Sequence, residues 1–283
     1  MAPDENELAT NKGRAIEMTP PDRFEEFNPI WRDVFSGEKP VLRRGRHFFK
    51  MISPRANERC RLCEAPFEGI AAPVLRWFGR GPWHRNPHFC ETCETAFRQN
   101  RGGAELDIAV LFADVRGSTP MAASMRPIEF AELMQRFYLA ATKVFRDTDG
   151  VVDKMVGDEV IGLYFPGLVD IDYRLAAARA GMELLRVTGH GAASGPWLSI
   201  GVGVHAGKAF VGSLGVAGGS YEFAVLGDTM NVGARIAGVA QGGEIIISDS
   251  VWPLVTGEIE AEQRTLDLKG VAAPMNAHVA FVT

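Results

Sequence analysis

A chain of 283 residues, 46% hydrophobic and 23% charged, has an ordinary globular composition and is long enough for one large domain and one small one. No apolar run reaches the ~20 residues a membrane helix needs. The start, Met-Ala-Pro-Asp-Glu-Asn-Glu, is acidic and lacks the apolar core of a signal peptide, so a cytoplasmic location is expected. The net charge of −5 hides an uneven distribution: from Lys39 to Arg101 basic residues outnumber acidic ones by 13 to 5, and the region beyond is acidic. Two bodies of different character are therefore joined, and docking of the basic one on the acidic one is preferred to contact with nucleic acid.

Residues 1–20 are polar and expected to be disordered. Within 21–104, Phe24 to Phe35 and Val41 to Ile52 read as helices that pack on the neighbouring module or on a partner subunit, with no chemistry assigned. All four cysteines follow, as Cys60-Arg-Leu-Cys63 and Cys90-Glu-Thr-Cys93, two C-x2-C pairs separated by 26 residues. A chain in a reducing compartment has little use for them as disulfides, whereas paired knuckles of this spacing suit a four-thiolate tetrahedral site with zinc as the default occupant. The second pair falls where a helix is expected from about Asn86 to Gln99, an arrangement similar to a treble-clef zinc finger. Four thiolates also hold iron-sulfur clusters, which would make the module a redox sensor. His84 and His88 flank the second pair and are read as surface or packing residues.

Arg101-Gly-Gly103 reads as a hinge or helix end that opens the region 105–283. Ile108 to Phe112 is a buried strand that delivers Asp114 at its carboxyl end. A helix over about Met125 to Arg146 carries Phe130, Leu133, Met134, Phe137 and Leu139 as core. Val151 to Val156 and Val160 to Phe165 are strands joined at Gly157-Asp158, the strongest hairpin signal in the chain. Beyond lie a helix at about Ile171 to Val187, strands at Leu198 to His205 and Ala209 to Leu214, a helix beginning near Asp228, a strand at Glu244 to Ser248 and an edge strand after Pro274. A hairpin beside a central strand can bring Asp114 and Asp158 together across 44 positions. Close carboxylates repel unless a cation separates them, and their hard oxygens suit Mg2+ or Mn2+. Asn231 and Arg235, four apart, share one face of their helix and suit a phosphate or ribose oxygen.

These segments resemble the catalytic domain of class III nucleotidyl cyclases, the adenylyl and guanylyl cyclase family. Phe112-Ala-Asp-Val-Arg-Gly-Ser-Thr119 is similar to the family's first metal segment, Lys154 to Asp158 to its second, and Gly227-Asp-Thr-Met-Asn-Val-Gly-Ala-Arg235 to its transition-state helix. Ile200-Gly-Val-Gly-Val-His-Ala-Gly207 and Gly243-Glu-Ile-Ile-Ile-Ser-Asp249 also match, in order. The resemblance implies an α+β, ferredoxin-like sheet with helices on one side. It also implies attack of a ribose 3′-hydroxyl on the α-phosphate of the same nucleotide, with loss of pyrophosphate. Asp114 and Asp158 would hold two Mg2+ or Mn2+ ions, with the Val115 carbonyl as a further ligand. Asn231 would orient the ribose, and Arg235 would steady phosphate charge. The site would form between the two chains of a homodimer.

Lys154 falls on the family's base-reading position. An ammonium only donates and adenine N1 only accepts, which favours ATP. The second base-reading position is Ala224, whose methyl group accepts nothing, so that edge is left to backbone or water. Guanine O6 also accepts from Lys154, which keeps a guanylyl cyclase as the alternative. A second alternative is an inactive cyclase fold acting as a binding partner. A diguanylate cyclase is disfavoured, because Val156 and Val160 flank the acids and that family lacks the Asn231 and Arg235 helix.

Overall fold

The computed structural model describes residues 29–84, 86–215, 221–271 and 273–282. The expected tail over 1–20 and the start of the first expected helix lie outside them. The described chain opens with helices α1, Pro29–Ser36, and α2, Val41–Ile52. The cysteine module contains α3, Ala72–Trp77, a two-stranded ribbon of β1, Pro82–Trp83, and β2, Asn86–Cys90, and then α4, Glu91–Gln99. The second pair was expected inside a helix from Asn86. Instead Asn86 to Cys90 is extended, and Cys90 becomes the residue that caps α4.

Next comes β3, Gly102–Val115, a single 14-residue strand that starts at the expected hinge. The paired glycines are not a hinge. A Cβ on Gly103 would meet the Phe210 ring at 2.6 Å, so the small residue allows close approach of the neighbouring strand. The order continues with α5, Ser118–Ser124, α6, Pro127–Asp147, β4, Val151–Val156, β5, Glu159–Tyr164, and α7, Tyr173–Val187. The remaining elements are β6, Ile200–Gly215, β7, Tyr221–Leu226, α8, Asp228–Val239, β8, Glu244–Ser248, β9, Glu262–Leu266, and β10, Met275–Phe281.

The main sheet runs β4-β5-β3-β6-β8-β10-β9, with β7 added to the distal half of β6. Among the described residues, only β6 and β8 pair in parallel. Two strands expected at Leu198 to His205 and Ala209 to Leu214 are one, because β3 pairs with β6 without a break from Gly102↔Ser213 to Val115↔Ile200. Gly207 between them serves contact, not a turn: a Cβ there would sit 2.8 Å from the Thr229 hydroxyl on α8. The strand after Pro274 lies inside the sheet, and the edge is the polar β9, whose Glu-Gln-Arg-Thr-Leu sequence carries no strong strand signal.

On β3, Ala109, Leu111 and Ala113 face the layer of α6 and α7, where Phe137, Phe145, Leu184 and Leu185 are buried. Ile108, Val110 and Phe112 point the other way. Burial on both faces explains why this segment is an apolar run and not an alternating one. The expected helix layer is present, and the opposite face is covered too, by α8 and by the amino-terminal helices. Of the expected core residues of α6, Met134 and Phe137 are buried, but Leu139 is 57% exposed, since two residues past Phe137 turn it to the far side of the helix.

Basic residues of the amino-terminal part pair with the sheet domain through Lys50 and Asp149 at 2.7 Å and Arg43 and Asp170 at 3.7 Å. Arg46, 1% exposed, is the deepest link. Its guanidinium donates to the carbonyls of Leu62 at 2.7 Å, Gly150 at 3.0 Å and Asp149 at 3.1 Å, tying the first cysteine knuckle to the chain entering β4. Replacing it with alanine strands those acceptors beside an unfilled volume, so Arg46→Ala is expected to cost ~2–5 kcal/mol in urea unfolding. Arg46→Lys should rescue little, because one ammonium lacks the planar fork that spans both segments.

Candidate active site and four-cysteine centre

Asp114 is the penultimate residue of β3 and pairs across the sheet with Glu159, and the Val115 amide donates to the Asp158 carbonyl at 3.1 Å. Gly157, at φ 63°, makes the tight turn that presents Asp158. The two aspartates are thus held on adjacent backbone segments, as the hairpin signal suggested. Arg116 pairs with the Asp114 carboxylate, and the Ser118 hydroxyl donates to that of Asp158. Burial pushes Asp114 above the ordinary carboxylate range; Arg116 opposes the rise and Asp158 adds to it. Glu159 is raised in the same way, first by burial and then by Asp114 and Asp158. Crowded carboxylates that resist ionisation are the electrostatic condition a divalent cation relieves, and an oxygen-only donor set suits Mg2+ or Mn2+. Sequence reasoning missed Arg116, Ser118 and Glu159, although all three lie within four residues of one of the two aspartates.

Asn231 and Arg235 do share one side of α8, whose other side buries Val232, Gly233, Ile236 and Ala237. Asn231 is exposed, and the Arg235 guanidinium lies against Gly270, 3.1 Å from where a Cβ would be. Among the described residues no carboxylate pairs with Arg235, which leaves its charge available to an anion. Lys154 stands on β4 with its ammonium 3.6 Å from Asp153. Ala224 is half-buried on β7 opposite Gly212. No hydrogen bond or ion pair among the described residues joins Asp114 or Asp158 to Lys154, Asn231 or Arg235.

The four cysteines converge. Their sulfurs all lie within 4.8 Å of one another, buried, and Cys63 and Cys90 are 3.6 Å apart. A tetrahedral ion with metal–sulfur bonds of ~2.3 Å requires sulfur–sulfur edges of ~3.8 Å, which this cluster fits. The Cys90 amide donates to the Cys60 sulfur at 3.3 Å, and the Arg80 guanidinium approaches the Cys63 sulfur at 3.5 Å. Mutual hydrogen bonding drives the Cys90 and Cys63 thiols down, whereas burial pushes Cys60 up and its neighbours push Cys93 up. Four thiols packed this closely cannot all ionise without a cation. His84 and His88 take no part in the cluster.

A model of the adenylate and guanylate cyclase catalytic domain matches residues 104–279, well over half of the chain. The chain belongs to that family. Among curated proteins, the cyclase domain is 31% identical over 152 residues to an adenylate cyclase of Anabaena cylindrica, and 30% identical over 156 residues to an uncharacterized protein of Mycobacterium tuberculosis. These matches take in 30% and 28% of the two relatives' own lengths, so the chain spans less than a third of each. Among solved structures it is similar to the guanylyl cyclase Cya2, with TM-score 0.56, 27% identity, and coverage of 64% of this chain and 95% of that one. The adenylyl cyclase CyaB from P. aeruginosa matches in fold with TM-score 0.56 at 21% identity, over 63% of this chain and 95% of that one. The cyclase domain is therefore of the mixed α+β cyclase fold. Among the described residues, no helix is long and apolar enough to cross a membrane.

Proposed function

We propose that this protein is an adenylate cyclase that converts ATP to 3′,5′-cyclic AMP and pyrophosphate at sites shared by two subunits. The observation that carries the reading is the joint placement of Asp114 and Asp158 on neighbouring segments, with Asn231 and Arg235 on one face of α8. In the reaction the ribose O3′ forms a bond to the α-phosphorus and the bridge to the β-phosphate breaks. The 3′-hydroxyl proton passes to solvent. Two divalent cations bound by Asp114, Asp158 and the Val115 carbonyl would polarise both oxygens of this displacement. Asn231 holds the ribose so that O3′ faces phosphorus, and Arg235 offers its planar donors to the phosphate oxygens as charge grows there. By the family pattern these two sets meet across the cleft of a homodimer, so a partner subunit would complete each site.

Lys154 as a donor to adenine N1 supports ATP. Ala224, which offers no acceptor for the 6-amino group, supports the second reading, a guanylate cyclase. Incubation with ATP or with GTP and Mn2+, followed by product identification, tests both. Cyclic AMP as the main product is expected, cyclic GTP-derived product alone reverses the assignment, and turnover of neither nucleotide removes it.

For the cysteine module we propose a single zinc ion. Thiolates on an iron-sulfur cluster bind different irons and are spread by the bridging sulfides, whereas these sulfurs are as close as one tetrahedral ion requires.

A further inference from the structure

The module does more than stand beside the catalytic sheet. A cavity of about 420 Å3 lies between them, with Trp83 and His88 of the module on one side and Asp153, Lys154 and Glu222 of the sheet on the other. This volume is in the range of small-ligand sites. Its polar groups form a donor and acceptor set. Lys154 supplies a cation, and its neighbour Asp153, with a side chain 3% exposed, keeps one buried carboxylate oxygen without a hydrogen-bond partner. Glu222 is exposed and, among the described residues, pairs with no cation.

Both walls are fixed to one another. Arg61, inside the first cysteine knuckle, donates from its guanidinium to the Asp153 carbonyl at 3.0 Å, and its amide donates to the His88 carbonyl at 2.9 Å. One residue thus joins the thiol cluster, the module ribbon and the backbone next to Lys154. On β7, Glu222 and Ala224 are two apart and so fall on the same side of the strand. The acceptor absent at 224 is present two residues earlier.

We propose that the nucleotide base is read between the cysteine module and the sheet, with Lys154 donating to adenine N1 and Glu222 accepting from the 6-amino group in place of the carboxylate that Ala224 lacks. The module then forms one wall of the base subsite, with Trp83 beside the bound purine. Asp153 is a positioning residue that restrains the Lys154 ammonium. This inference rests on the nucleotide-cyclase reading and assigns its specificity to residues of two separate parts of the chain.

The test uses the full chain with its module metal intact and compares ATP with purine riboside triphosphate, in which hydrogen replaces the 6-amino group. A hydrogen bond from the amino group to a carboxylate should give the wild type at least a roughly tenfold preference for ATP in KM and in Kd. Glu222→Ala should weaken ATP by that factor and leave the analogue unchanged, so that the preference disappears. If Glu222→Ala keeps the preference, weakens both nucleotides equally, or impairs only GTP, the assignment of Glu222 is overturned. The wall is tested by tryptophan emission: ATP binding should change it in the wild type, and most of that change should vanish in Trp83→Phe. An undiminished change in Trp83→Phe overturns the module's part. A wild type that binds nucleotide with these signatures but forms no cyclic product refutes the proposed function and not the subsite.

Discussion

Asp114→Ala is expected to lower nucleotide cyclisation by at least ~10³-fold while leaving the protein folded. Losing a carboxylate that holds a catalytic cation forfeits several kcal/mol of charge stabilisation in the transition state, and ~4 kcal/mol corresponds to three orders of magnitude. Stability should not suffer, because burial and the charge of Asp158 disfavour ionised Asp114 in the fold. The folded protein gives up repulsion as well as the Arg116 ion pair. Asn231→Ala should be inactive for a different reason, a misplaced ribose. Mixing the two inactive proteins is the decisive measurement. In the proposed shared site Asp114 and Asn231 come from opposite subunits, so a mixed dimer has one cleft with both defects and one with neither. Recovery of about a quarter of the wild-type activity is expected once an equal mixture has exchanged subunits, because half of the dimers are then mixed and each has one intact cleft of two. No recovery, with exchange shown by a tagged subunit, removes the shared site.

Cys90→Ser is expected to abolish metal binding by the module, with stoichiometry falling from one ion per chain to none by metal analysis, and to destabilise the protein strongly. Apparent binding free energies of structural zinc in finger peptides are ~10–16 kcal/mol at neutral pH, and that energy is folding energy. Cys90 also caps α4 and receives a contact from the first knuckle, so its loss separates the two pairs. The effect should reach beyond the module. Arg46 and Arg61 tie the first knuckle to Gly150 and Asp153, so loosening it should raise KM for the nucleotide even where the sheet remains folded. A zinc-free variant with unchanged melting temperature and unchanged KM would contradict this linkage. Visible absorption in anaerobically prepared wild type would replace zinc with iron.

Much of the catalytic frame was legible because its signals are local. The Gly157 turn, the apolar run before Asp114 and the four-residue spacing of Asn231 and Arg235 each determine geometry within a few residues. What escaped were relations between distant segments. Ile200 to Gly215 reads as two strands with a glycine between them, and only its pairing with all of β3 shows that Gly207 makes room for Thr229. The strand Tyr221–Leu226 carries an alternating pattern, with Phe223 packed toward the core and Glu222 exposed, yet attention to position 224 alone passed over it. The cysteine spacing announced that the four thiols would meet. Nothing in that spacing says which face of a sheet the module covers, because that depends on aromatic contacts made far along the chain.

Those contacts govern how the molecule is made. Trp31 and Phe97 stack on Phe223 at 6.1 and 5.8 Å, and Phe35 meets Phe165 at 4.7 Å. During synthesis, the amino-terminal aromatics leave the ribosome more than a hundred residues before the surfaces that receive them. Such long separations slow folding and leave sticky groups uncovered in the meantime. A metal captured early by the thiols would give this waiting segment a shape of its own until the sheet arrives.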